Sequence, residues 1–117
     1  MLSRGLYHRC NLKRDFQITD ATIIQVGTNM GRNGSWDVTF TFVTQTGQVI
    51  ERTQYFMIDY SKRKYLVGKT VPCTYDPRHP VHSELLIYER TWKQHDLSFP
   101  DSMKWTKEYF NDVFFSY

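Results

Sequence analysis

Residues 36 to 44, WDVTFTFVT, alternate without a break. Trp36, Val38, Phe40 and Phe42 fall on one side of an extended chain, and Asp37, Thr39 and Thr41 fall on the other. A helix would scatter these residues around its circumference, so a period of two fixes this stretch as a half-buried strand. Its backbone groups then need ladder partners on both edges, and its apolar face needs a cover.

The neighbouring segments supply the partners. Residues 16 to 27, FQITDATIIQVG, form a β-rich run, followed by the turn-forming cluster Thr28, Asn29, Gly31, Asn33 and Gly34. After the turn Gln45-Thr46-Gly47-Gln48 comes a third run, VIERTQYFMI over 49 to 58. There Val49, Thr53, Tyr55 and Met57 alternate only imperfectly with Glu51, Arg52 and Gln54, and a bulge near Gln54 or Tyr55 would reconcile the two faces. A basic connection, DYSKRKYLVGK, leads to a fourth run in which Val71, Cys73 and Tyr75 share one side. Pro72 cannot donate to a ladder, so this strand should lie at an edge or present that position outward. The stiff turn Asp76 to Pro80 precedes a fifth run, SELLIYE over 83 to 89.

Composition agrees with a β fold: eight Tyr, eight Phe and three Trp stand against a single Ala, Ala21. The end of the chain differs in period. Asp101 and Ser102 are good helix caps, and Met103, Tyr109 or Phe110, Val113, Phe114 and Tyr117 recur at helical spacing, which predicts a helix of about four turns. The expected fold is therefore mainly β, a five-stranded antiparallel meander or small barrel with one C-terminal amphipathic α-helix. Its divisions are a basic N-terminal arm over 1–15, a β domain over 16–90, and a linker and helix over 91–117 that pack on or beside it.

A second pattern runs through the β portion. Ala21 opens the first strand, Phe40 and Phe42 sit in the second and Gly47 in the turn, followed by Tyr65-x-x-Gly68-x-x-Val71-x-Cys73-x-Tyr75-Asp76-Pro77-x-x-Pro80-x-x-Ser83. Residues 21–86 so resemble a small bacterial β domain of unknown function with a Y-D-P-x-x-P strand-turn, usually found beside transmembrane helices. The resemblance implies a β fold and carries no catalytic residues. The Y-D-P-x-x-P segment also has a purely architectural reading: Tyr75 fills the core, the Asp76 carboxylate accepts backbone N–H bonds in an Asx-turn, and the prolines stiffen the exit.

Candidate sites are few. No apolar run reaches the roughly 18–20 residues that a spanning helix needs, and the N-terminus lacks a secretory apolar segment, so a soluble, cytoplasmic protein is expected. Arg4, Arg9, Lys13 and Arg14, with no acidic residue before Asp15, leave organelle targeting open. Cys10 and Cys73 match neither a disulfide framework nor a C-x-x-C motif. No G-x-S-x-G elbow or phosphate loop is present, and the glycines at 27, 31 and 34 precede a strand, so no enzyme and no cofactor are expected. Asp76, His79 and His82 offer a carboxylate and two imidazoles, a weak metal set in a stiffened turn. Lys62, Arg63 and Lys64, flanked by Tyr60 and Tyr65, combine charge with stacking surface in the manner of single-strand nucleic-acid binders. The net charge of +3 helps such contact without requiring it. The tail holds more aromatics than one buried helix face can hide, and Trp105, Tyr109, Phe115 and Tyr117 are the candidates for a protein partner. A non-enzymatic protein-interaction module, such as an inhibitor, an immunity-type protein or a small accessory subunit, is the leading expectation. The alternative is a small barrel that binds single-stranded nucleic acid through the 61–65 loop.

Overall fold

The computed structural model describes residues 16–111. Five antiparallel strands form one sheet: β1 (Gln17–Met30), β2 (Trp36–Val43), β3 (Val49–Phe56), β4 (Thr70–Asp76) and β5 (His79–Leu85). The order across the sheet is β3-β2-β1-β4-β5. The first three strands are a meander, but β4 returns to the free edge of β1, so the small barrel and not the simple meander is the arrangement adopted.

Closure brings β3 beside β5, and side chains of β3 bridge the two. Gln54 Oε1 accepts the Leu85 N–H at 2.7 Å, and Arg52 Nη2 reaches the Ser83 carbonyl at 3.5 Å. The cyclic order of the nearly closed barrel is therefore β1-β2-β3-β5-β4. The expected bulge near Gln54 or Tyr55 is absent, since β2 and β3 pair without interruption from Trp36↔Phe56 to Val43↔Val49. In that register Ile50, Arg52, Gln54 and Phe56 share the face opposed to Phe42, Phe40, Val38 and Trp36. The alternation looked broken because two polar residues occupy this face, at the seam.

The bulges lie in β1 instead, between Ile23 and Gln25 and between Val26 and Met30. Gly27, at φ 75°, sits in the second irregularity and lets one strand continue to Met30 where a turn was expected from Thr28. This long, kinked strand serves both β2 and β4, which is how five strands close a barrel.

β4 is also not an edge strand. A residue's N–H and C=O point to the same side of a strand. The Pro72 carbonyl accepts the Leu86 N–H at 2.9 Å, so its missing N–H faces the end of the β5 ladder and costs nothing against β1. The turn between β4 and β5 is only Pro77-Arg78, with Asp76 paired to His79, so β5 begins at His79 and not at Ser83. Within it Arg78 N–H donates to Asp76 Oδ1 at 2.9 Å, the expected Asx-turn, and Tyr75 is buried with its hydroxyl accepting the Gln45 N–H at 3.1 Å.

The core is the inner face of the barrel, where Ile23, Val38, Phe40, Leu66, Val71, Cys73, Leu85 and Leu86 are fully enclosed. Each such aliphatic or Phe side chain contributes about 1.5–3 kcal/mol by leaving water. Burial, with Asp20 nearby, pushes the Cys73 thiol up to about 12, so it packs as a small apolar residue.

The helical part differs in place and length from the expected four turns. A short helix, α1 (Glu89–Gln94), falls in the stretch read as the end of β5 and a linker, and Trp92 anchors it by donating to the Leu86 carbonyl at 3.1 Å. Residues Asp101–Glu108 form a 3₁₀ helix whose preceding cap, Pro100, makes no side-chain capping bond. Beyond it the chain pairs with residues 57–59, just past the end of β3. Phe110 bridges Ile58, Asp59 N–H donates to the Tyr109 carbonyl at 2.9 Å, and Asn111 N–H donates to the Met57 carbonyl at 2.7 Å. Buried Phe110 then meets Phe56 edge-on at 5.4 Å. Val113, Phe114, Phe115 and Tyr117 lie outside the described residues, as does the 1–15 arm.

Candidate functional site

Two candidate surfaces, separate in the sequence, meet at the end of the barrel where Asp101–Glu108 passes the connection between β3 and β4. That connection is itself a 3₁₀ helix, Tyr60–Tyr65, opened by Asp59, whose carboxylate accepts from the Ser61 hydroxyl at 2.7 Å and the Ser61 N–H at 3.2 Å. The Ser61 hydroxyl holds the Asp59 carboxyl below the usual carboxylate range, with the Ser61 N–H and Lys62 assisting.

Every cation of the predicted 61–65 loop lies over an aromatic ring. The Arg63 guanidinium is 3.8 Å from the Tyr60 ring centre, Lys64 is 5.6 Å from Tyr65, and Lys62 is 5.8 Å from Tyr109. Lys69, which the sequence reading passed over, lies 5.5 Å from the Trp105 ring, and Trp105 meets Tyr109 edge-on at 5.8 Å. The result is one surface of interleaved cations and aromatic rings, in which each pair contributes about 0.5–1 kcal/mol at the exposed end of the scale.

Within this surface the roles divide. Trp36 also lies 4.2 Å from Tyr60, and two groups so close to one ring centre cannot share a face, so both faces of Tyr60 are taken. Arg63 donates to the Tyr60 carbonyl at 2.9 Å and packs over Gly27, where a Cβ would come within 2.7 Å of its Cδ. Tyr60 and Arg63 therefore fasten the loop to the barrel. Lys62 pairs with Asp59 at 3.9 Å and donates to the Glu108 carbonyl at 3.4 Å, tying the loop to the C-terminal segment. Trp105 and Tyr109 are half-buried against the core. Tyr65 is 57% exposed and, with Lys64 and Lys69, forms the open part of the surface. Phe115 and Tyr117 lie outside the described residues.

The weak metal set does not assemble. Asp76 is engaged by the Arg78 N–H and lies 3.6 Å from Arg78 Nε, while the His79 and His82 rings stand 5.6 Å apart, centre to centre. The Arg78 N–H, foremost, and the Arg78 and His79 charges hold the Asp76 carboxyl low. No group of three His, Cys, Asp or Glu side chains among the described residues is placed to hold a metal ion.

One further site had a signal that the sequence reading treated as a bulge. The inward polar pair Arg52 and Gln54 marks the seam between β3 and β5, and beside Arg52 lies an open cleft of about 330 Å³. It is lined by Phe16, Arg52, Thr74, Tyr75, Asp76, His82, Ser83, Glu84 and His95.

No helix among the described residues is long and apolar enough to cross a membrane. Comparison of the chain with protein-family models, with curated proteins and with solved structures returns no match.

Proposed function

We propose that the chain is a non-enzymatic protein-interaction module, acting as an inhibitor, an immunity-type protein or an accessory subunit of a larger assembly, and that its contact surface is the cation–aromatic patch. The observation that carries this reading is the convergence of Lys62, Lys64, Lys69, Tyr65, Trp105 and Tyr109 from two distant parts of the chain. Half-buried aromatics fixed by the core are pre-organised anchors, which lose little entropy on binding. The surrounding ammonium groups favour a partner with an acidic rim, because complementary charge accelerates encounter and selects among partners. A cytoplasmic setting belongs to the same reading.

A protein partner fits this patch better than a single strand of nucleic acid. Successive bases need successive free ring faces, whereas Tyr60 has none, and the patch contains Asp59 and Glu108. The nucleic-acid reading keeps one specific support: exposed Tyr65 beside Lys64 offers a ring on which one base can stack.

The test uses the full chain and the triple variant Lys64→Glu, Tyr65→Ala, Lys69→Glu. Affinity capture from the native cell extract should retain a protein at stoichiometric yield with the parent chain and lose it with the variant. Retention of the same partner by both would refute the assignment of the patch. Fluorescence anisotropy with a labelled 20-nucleotide single strand at low salt decides the second reading; salt-dependent binding abolished in the variant would replace the first reading by the second.

A further inference from the structure

Arg52 is unusual for its position. It faces inward on β3, yet its guanidinium makes only one long hydrogen bond, 3.5 Å to the Ser83 carbonyl, and no carboxylate among the described residues lies within ion-pair range of it. Its Nε is shielded from water and has no hydrogen-bond partner. Two other shielded groups without partners, the Ser83 hydroxyl and His95 Nδ1, belong to residues that line the same cleft. The His95 side chain is only 10% exposed and is held at its other nitrogen by Glu84 Oε1 at 3.4 Å, with Phe16 edge-on at 4.8 Å. Buried polar groups are almost always satisfied, and a half-buried cation without a counter-charge is costly. Three such groups around one concavity therefore constitute an incomplete hydrogen-bonding set.

We propose that this seam cleft is a binding site for a small molecule carrying a single carboxylate, received by the Arg52 guanidinium and the Ser83 hydroxyl with His95 as the third contact. Arginine's planar fork matches a carboxylate in two-point geometry, and such charge-assisted bonds are about twice as strong as neutral ones. The volume, about 330 Å³, lies at the small end of ligand sites. Asp76 and Glu84, which also line the cleft, set the charge limit, since their carboxylates repel a polyanion but tolerate one negative charge neutralised by Arg52. They also favour a ligand whose remaining groups are hydrogen-bond donors. The site shares no residue with the cation–aromatic patch and does not depend on it.

The experiment is an NMR titration of the ¹⁵N-labelled full chain with sodium acetate, with sodium chloride at matched ionic strength as control and sodium phosphate as the polyanion. The Arg52 Nε–H and Ser83 amide signals should shift saturably with acetate, at an affinity on the order of millimolar for so small a probe, and respond little to chloride. Arg52→Met should abolish the saturable response. Arg52→Lys, which keeps the charge without the fork, should weaken it at least about tenfold and serves if the Met variant does not fold. Shifts that merely track chloride, or an unchanged response in either variant, would overturn the site. Saturation by phosphate at lower concentration than acetate would overturn the single-carboxylate assignment.

Discussion

Replacing Gln54 by Leu removes one atom pair from the barrel and tests how the barrel is closed. In the parent chain the Leu85 N–H has Gln54 Oε1 as its acceptor, at 2.7 Å, and Leu85 is 1% exposed, so water cannot take over. A buried donor left without a partner costs about 1–3 kcal/mol. Gln54 is only half-buried, so the leucine regains little by its own burial. For a chain of this size each kcal/mol moves the melting temperature by roughly 4 °C, which gives an expected fall of about 4–12 °C. Gln54→Glu is the informative companion, because its carboxylate still accepts from Leu85 N–H; it should lose less than half as much. Thermal unfolding followed by far-ultraviolet circular dichroism reads the first quantity. Amide hydrogen exchange at Leu85, expected to accelerate at least about fivefold in the leucine variant, reads the second. A leucine variant melting within about 1 °C of the parent, or a glutamate variant no better than leucine, would show that the Gln54 side chain does not hold the seam.

Other perturbations probe separate parts of the molecule. Asp37 is buried, which alone would raise its pKa, but the Asn29 N–H at 2.6 Å and the Thr28 hydroxyl at 2.7 Å hold it below its ordinary 3.8. Its contribution is therefore present above the unfolded pKa and lost as pH falls through the lower folded value. Asp37→Asn should be less stable than the parent by about 1–3 kcal/mol near neutrality, with the difference shrinking below pH 3.8, as urea titrations at several pH values would reveal. In a Cys10→Ser chain, Cys73 should resist an aromatic disulfide reagent in native buffer and react fully in denaturant; rapid native labelling would contradict its enclosure. Gly27→Ala forces a Cβ onto a backbone at φ 75° and to 3.3 Å from the Tyr60 ring, so it should cost about 1–2 kcal/mol from the backbone alone. It should also shift the Tyr60 ring resonances, and unchanged Tyr60 signals would count against the fastening role of that contact.

What the sequence made legible follows from where local pattern and tertiary demand agree. β2 has partners on both edges and turns its apolar side into the core, so its alternation is nearly perfect and marks it as a strand, although Asp37 and Thr39 on the other side are buried too. Asp76 acts within its own turn, and the Asx bond was visible from spacing alone. β3 misled because Arg52 and Gln54 face a seam whose existence depends on β5, which lies far along the chain. The C-terminal segment misled for a similar reason: Asp101–Glu108 turns as a 3₁₀ helix instead of an α-helix, and Phe110 pairs with Ile58, a pairing that no local signal announces. The patch was half legible. Its cations and its aromatics were each found, while their union, and the part played by Lys69, required the fold.

The seam also bears on how the barrel moves. Along the other strand boundaries cooperative backbone ladders tie the chain, so opening one pair strains the next. Between β3 and β5 the bridging groups are an amide and a guanidinium on flexible stems, each of which can release by a rotamer change. The barrel thus has a built-in parting line. Its cheapest excursion from the native state is a widening between β3 and β5, a motion that admits solvent to the Arg52 side while leaving the β1-centred sheet intact.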